Sequence, residues 1–181
     1  MAQRKGGRPA PAKSGMTRKR RRSLVVGVVV LVLVGVLGWW AWRSTAEMPG
    51  QTVPSLGNAH LVSQNDPHVP YNSDPPTSGP HLSYIAPWGI HTKPIPKELQ
   101  VHNLEDGGVL VQYNCDCPEL VAKLRAIVER YKNHVILAPY PGMKQKIALT
   151  AWGRIDGFEE FDEARVTRFI SAYQGIDHHA R

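Results

Sequence analysis

Nineteen consecutive uncharged residues, Leu24 to Trp42, read as one unbroken apolar stretch. At about 1.5 Å of rise per residue they predict a helix of about 28 Å, close to a bilayer's hydrocarbon core of about 30 Å. Downstream the pattern changes twice. Between His60 and about Gln100 stand Pro67, Pro70, Pro75, Pro76, Pro80, Pro87, Pro94 and Pro96. Proline fixes φ and donates no backbone hydrogen bond, so neither a long helix nor a central strand is expected there. Tyr71, Tyr84, Ile85, Trp88 and Ile90 lie in the same stretch. So many large apolar groups predict an ordered, irregular segment wrapped over a core, not a flexible linker. The remainder is regular. Val109–Tyr113 follows the turn Asp106-Gly107-Gly108 and predicts a strand. A helix is predicted from Pro118 to about Tyr131, with Leu120, Val121, Leu124, Ile127, Val128 and Tyr131 on one stripe. His134–Ala138, stopped by Pro139, and Ile147–Trp152, closed by Gly153, predict two more strands. A last helix, Asp162–Tyr173, turns Val166, Phe169, Ile170 and Tyr173 inward, with Phe161 just before it. Strand, helix, strand, strand, helix is the order of a small α/β or α+β domain.

Four regions follow: a basic tail (1–22), a transmembrane helix (23–42), a polar linker (43–58) and a folded domain (59–177). The tail is expected to be disordered, because it is rich in Gly, Pro, Lys and Arg and poor in apolar residues. Trp39, Trp40 and Trp42 cluster at the outer end of the apolar stretch, where aromatic rings favour the membrane interface. The stretch exceeds the usual length of a signal-peptide core, so a retained anchor is expected. Ser44 and Ala46, with side chains small enough for a cleavage site, and the Arg21-Arg22 pair, faintly like a twin-arginine signal, argue the other way. The cations of the tail are expected to stay cytoplasmic and the domain to lie outside the cytoplasm, at the cell membrane.

The formal charge of +7 changes meaning once it is divided. Residues 1–22 hold nine Lys or Arg and no acid, which leaves a net −2 on everything after them. The folded part thus lacks a basic face, and nucleic acid is excluded as a partner on that ground. The lipid bilayer is the expected contact, and anionic headgroups would attract the tail.

Several strings sit together in the second region: His68-Val-Pro-Tyr71, Pro75-Pro-Thr-Ser-Gly-Pro-His81, Trp88-Gly89 and Val101-His-Asn-Leu-Glu105 followed by Gly107-Gly108. Leu137-Ala-Pro139 and Ala148-Leu-Thr-Ala-Trp-Gly153 complete the set. The chain, over roughly residues 57–175, resembles a bacterial family of membrane-anchored proteins known as domain of unknown function 3105. The resemblance implies one extracytoplasmic domain behind one anchor and no assigned reaction. The family pattern usually places His after Leu-Glu, where this chain has Asp106.

Five of the eight histidines, His60, His68, His81, His91 and His102, fall in the irregular region. His68, His81 and His102, with Glu105 or Asp106, form a candidate set of three nitrogens and an oxygen for copper or zinc. No compact ligand spacing such as His-Glu-x-x-His accompanies them, and imidazoles capping irregular backbone would look the same. Such a site requires nitrogens from at least three of these histidines to converge. Cys115-Asp-Cys117 stands at a strand end and helix start, where amide dipoles favour thiolate, so thiol–disulfide chemistry is a further candidate. Asp74, Ser78 and His81 do not make a convincing hydrolytic triad within one loop, and Glu105 and Asp106, adjacent on an extended chain, would point apart. His178 and His179 are expected to fray.

Three functions are therefore open. The first is a non-enzymatic envelope binding or accessory module, with an envelope protein as a possible partner. The second is transition-metal binding through loop histidines, and the third is thiol–disulfide redox at Cys115 and Cys117.

Overall fold

The computed structural model describes residues 18–44 and 48–179. The expected disordered tail up to residue 17 and Ala46 lie outside the described residues. The chain divides into two units, 1–47 and 48–181. In the first, Arg18–Ser44 forms one helix, α1, whose segment Arg22–Trp39 is long and apolar enough to cross a membrane. It starts earlier than the sequence suggests, taking in the basic run from Arg18, because Lys and Arg are good helix formers. As it stands, α1 is compatible with a single-pass anchor or with a signal sequence.

The second unit is a mixed α/β fold around a six-stranded sheet. In chain order its elements are β1 (Gln51–Thr52), β2 (His60–Leu61), β3 (His81–Leu82), β4 (Gly89–Ile90) and α2 (Lys97–Glu105). Then come β5 (Val109–Tyr113), α3 (Pro118–Val128), β6 (Val135–Pro139), β7 (Ile147–Ala151), β8 (Arg154–Phe158) and α4 (Glu163–Tyr173). The sheet runs β1-β8-β7-β5-β6-β4; β4, β6 and β5 are parallel, and the other pairs antiparallel. The helix α3 is the crossover that parallel β5 and β6 require. Pro139 does not stop β6 but ends it in register with Tyr113. Proline is tolerated there because β4, on the other side, pairs only as far as Leu137.

Strand alternation sorts the side chains onto two faces. Val109, Val111, Val135, Leu137, Ile147 and Leu149 meet the apolar stripes of α3 and α4, through Leu124, Ile127, Val166, Phe169 and Ile170. Asp162 caps α4 by accepting from the Arg165 amide at 3.0 Å. The opposite face carries Leu110, Ile136 and Ala138, covered by Ala86, Ile95 and Leu104. That cover is the irregular segment together with α2, and Pro75–Leu82 is buried throughout. Its backbone finds partners outside any long ladder: Gly79 N donates to Gly57 O, His81 N to Ala59 O, and Gly153 N to Thr77 O.

Two elements depart from the sequence reading. The hairpin strand β8 follows Gly153 directly; its Arg-Ile-Asp-Gly-Phe stretch is only partly buried and shows little apolar pattern. More consequential is α2, which occupies 97–105 where an extended approach to β5 was expected. Gln100, His102, Asn103 and Glu105 are all buried on it, so no apolar stripe marks it. Its end is explicit: Gly107 N donates to Leu104 O and Gly108 N to Asn103 O, with Gly107 at φ +78. That is a Schellman cap, in which a left-handed residue closes the last turn. A Cβ on Gly108 would sit 2.3 Å from Asn103 O, so both glycines of the string have a backbone reason.

Candidate metal centre

The short parallel pair β2–β3 sets His60 beside His81 in register. Opposite them, α2 presents His102 and Glu105, three residues apart and therefore on one helix face. One donor atom from each of His60, His81, His102 and Glu105 falls within 4.8 Å of the others. His81 Nε2 lies 2.9 Å from Glu105 Oε2, and His60 Nε2 lies 4.0 Å from the same oxygen. The imidazoles of His81 and His102 meet edge to face at 5.0 Å, and those of His60 and His102 stack at 5.4 Å.

Backbone carbonyls decide which nitrogens face inward. His81 Nδ1 bonds Gly79 O at 2.8 Å, and His102 Nδ1 bonds Leu82 O at 2.6 Å. A carbonyl only accepts, so each Nδ1 carries a proton, and in the neutral ring Nε2 is then the nitrogen with the lone pair. Asn58 Nδ2 donates to Glu105 Oε1 at 2.7 Å, which fixes the carboxylate. His81 Nε2 and Glu105 Oε2 are both buried without a hydrogen bond. The two atoms face each other at 2.9 Å, where a shared proton or a bound cation would satisfy both. Burial pushes His81 below the ordinary imidazole range, though its bond to Gly79 and the charge of Glu105 act the other way. A neutral imidazole anchored through its far nitrogen is how proteins hold histidine ligands ready.

Three imidazoles and a carboxylate make a four-donor set suited to a borderline divalent ion, with bonds of about 2.0–2.2 Å. A tetrahedral shell would set the donors about 3.3 Å apart, so His60 would close in from 4.0 Å while His81 Nε2 and Glu105 Oε2 would part slightly from 2.9 Å. His60, with its side chain 49% exposed, has the most freedom to make that movement, whereas the Glu105 side chain is fully buried.

A second group shares His102. One donor each from His102, Asp106 and His179 lies within 4.8 Å of the others. Here the expected fraying of the C-terminal segment is corrected: Gly175 N donates to Gly107 O and His178 N to Glu105 O, each a backbone bond. His178 also stacks on Trp152 at 6.0 Å. These bonds bring His179 Nε2 to 3.5 Å from Glu105 Oε2 and 3.6 Å from Asp106 Oδ1. The hydrogen bond that His179 Nδ1 donates to Asp177 Oδ1 raises His179 above the ordinary imidazole range.

Of the candidate ligands, His81, His102 and Glu105 come together, and Asp106 lies in the adjoining group. His68 stands apart, 3.6 Å from Glu98 and against Tyr71. His60 takes the place given to His68 in the sequence reading, and Asn58 and His179 were not anticipated. His102 and Glu105 did carry a signal, the i, i+3 spacing, but it has meaning only once α2 is known to be helical. Cys115 and Cys117 are joined by a disulfide just before α3. Asp74 bonds Lys97 and Tyr140, and Ser78 accepts from Leu56 N, so no triad forms with His81.

The sequence model of a family described as "Protein of unknown function (DUF3105)" matches residues 62–180. No curated protein and no solved structure matches the chain.

Proposed function

This chain belongs to the DUF3105 family, and we propose that it is a non-enzymatic, membrane-tethered domain that binds a transition-metal ion outside the cytoplasm. The observation that carries this reading is the convergence of His60, His81, His102 and Glu105, with His81 Nε2 and Glu105 Oε2 buried face to face without a hydrogen bond. Zinc fits first, because it takes four nitrogen and oxygen donors in a tetrahedron without a preference of its own. Copper(II) is the rival, since imidazole suits it and it binds such sets tightly. Four protein donors fill a tetrahedral shell and leave no open position for a reacting water, which favours binding over hydrolysis.

The full chain, purified in detergent and stripped with a chelator, is expected to take up and retain about one zinc per chain after desalting, as a closed four-ligand site should. Metal content well below one, after loading with zinc and with copper alike, would overturn the reading. Address is a separate matter. The apolar stretch of α1, behind the basic run with which the helix begins, supports an anchor with its amino end inside, and a disulfide at Cys115–Cys117 suits an oxidising compartment. A reporter fused after Arg181 is expected to be active only outside the cytoplasm; activity confined to the cytosol would reverse the topology.

A further inference from the structure

The two donor groups have one residue in common, and this says how a cation would reach a site whose carboxylate is fully buried. His102 has a single available nitrogen, Nε2, because Nδ1 is held by Leu82 O. That nitrogen lies 3.6 Å from Asp106 Oδ1 in the outer group and belongs to the inner group as well. One lone pair binds one ion, so the groups cannot both hold His102 at once. Each group has an exposed imidazole, His60 at 49% in the inner and His179 at 43% in the outer, but the outer group also has a carboxylate that solvent reaches, Asp106 at 31%. The inner group ends at His81 and Glu105, both fully buried. Glu105 Oε2 lies between them, 2.9 Å from His81 Nε2 and 3.5 Å from His179 Nε2.

Resting on the metal reading above, we propose that His102, Asp106 and His179 form a loading site that passes a divalent cation to the inner four. The cation enters with its waters and bonds His179, Asp106 and His102. It then keeps the His102 bond while Glu105, His81 and His60 displace Asp106, His179 and the remaining water. Each bond formed matches one broken, so no bare ion crosses the buried zone, where an unligated charge would be costly. The ion changes neither charge nor oxidation state, and the reverse sequence releases it. The backbone bonds from Gly175 to Gly107 and from His178 to Glu105 hold the donor segment in place. Gly107 must be glycine for this, since a Cβ there would meet Ile176 N at 2.7 Å.

The test is stopped-flow zinc uptake and release by the full chain in detergent, with a chromophoric chelator as the competing probe. His179→Ala and Asp106→Asn are expected to slow uptake and release together by about tenfold or more. Their zinc affinity should stay within about threefold of wild type, because a change confined to the path moves both rates equally. Unchanged rates in both variants would overturn the loading role. So would faster release with unchanged uptake, which would instead make His179 an ordinary ligand of a single site. A wild-type chain that takes up no zinc would fail the metal reading itself, and is distinguishable from either result.

Discussion

Glu105→Gln is expected to remove tight zinc binding and, at the same time, to stabilise the metal-free domain. The amide is nearly isosteric with the carboxylate. Its oxygen can keep the bond from Asn58 Nδ2, and its nitrogen would donate to His81 Nε2 across the present 2.9 Å contact. The pair of facing acceptors becomes a donor and an acceptor, and a buried anion disappears. A neutral hydrogen bond in place of a mismatch contributes about 1 kcal/mol, and relief of the buried charge adds to it. Zinc affinity should fall at least about 100-fold, because changes to groups that merely orient a ligand already cost about 10–100-fold. Isothermal titration with zinc and urea unfolding of the chelator-treated protein read the two effects separately. The opposite signs are what make the test sharp. If His81 and Glu105 were only a structural ion pair, with an imidazolium donating to the carboxylate, the same substitution would destabilise the domain. A lower urea midpoint in the variant would therefore show that the metal-free pair shares a proton, and unchanged zinc affinity beside it would sink the metal interpretation.

The second large effect concerns the clamp that holds α2 against the irregular segment. Asn103 is fully buried; its Oδ1 accepts from Ala86 N and its Nδ2 donates to Ala86 O, both at 2.9 Å. The side chain imitates a neighbouring strand for a backbone that has none. Asn103→Leu keeps the volume and leaves a buried amide and a buried carbonyl without partners. Each such group costs about 1–3 kcal/mol, so the variant should lose about 2–6 kcal/mol of stability. Chemical denaturation followed by tryptophan fluorescence measures the loss, since Trp88 and Trp152 pack into the same cluster. A change smaller than about 1 kcal/mol would mean that Ala86 finds other partners. Because His102 is the preceding residue on the helix, the variant should also weaken zinc binding.

How much of this was legible in the chain depends on which physics set each element. α3 and α4 were readable because one face of each meets the apolar core, so helical periodicity survives in the sequence, whereas β5, β6 and β7, buried on both faces, survive as short apolar runs between turn signals. The same reasoning failed for α2. Its buried positions are Val101 and Leu104 together with Gln100, His102, Asn103 and Glu105, and these four polar side chains are held by specific hydrogen bonds, Glu105 through Oε1 alone. A pattern of apolar and polar letters cannot display burial of that kind. The Gly107-Gly108 pair did mark a turn, but the turn is a helix cap and not merely the entry to a strand. The site was half legible. His81, His102 and Glu105 follow from clustering, whereas His60 depends on a two-residue parallel register that no local signal encodes. His179 depends on backbone bonds between Gly175 and Gly107, residues distant in the chain.

The four inner donors come from positions 60, 81, 102 and 105, on three separate stretches of backbone. No two stretches are neighbours in an unfolded chain, and gathering them carries the entropic cost of closing long loops. On the proposed reading an unfolded chain would thus be blind to the ion, and loading would wait until the sheet and α2 have formed. Once seated, the ion would act as a rivet through the one layer of the domain that has no long ladder of its own.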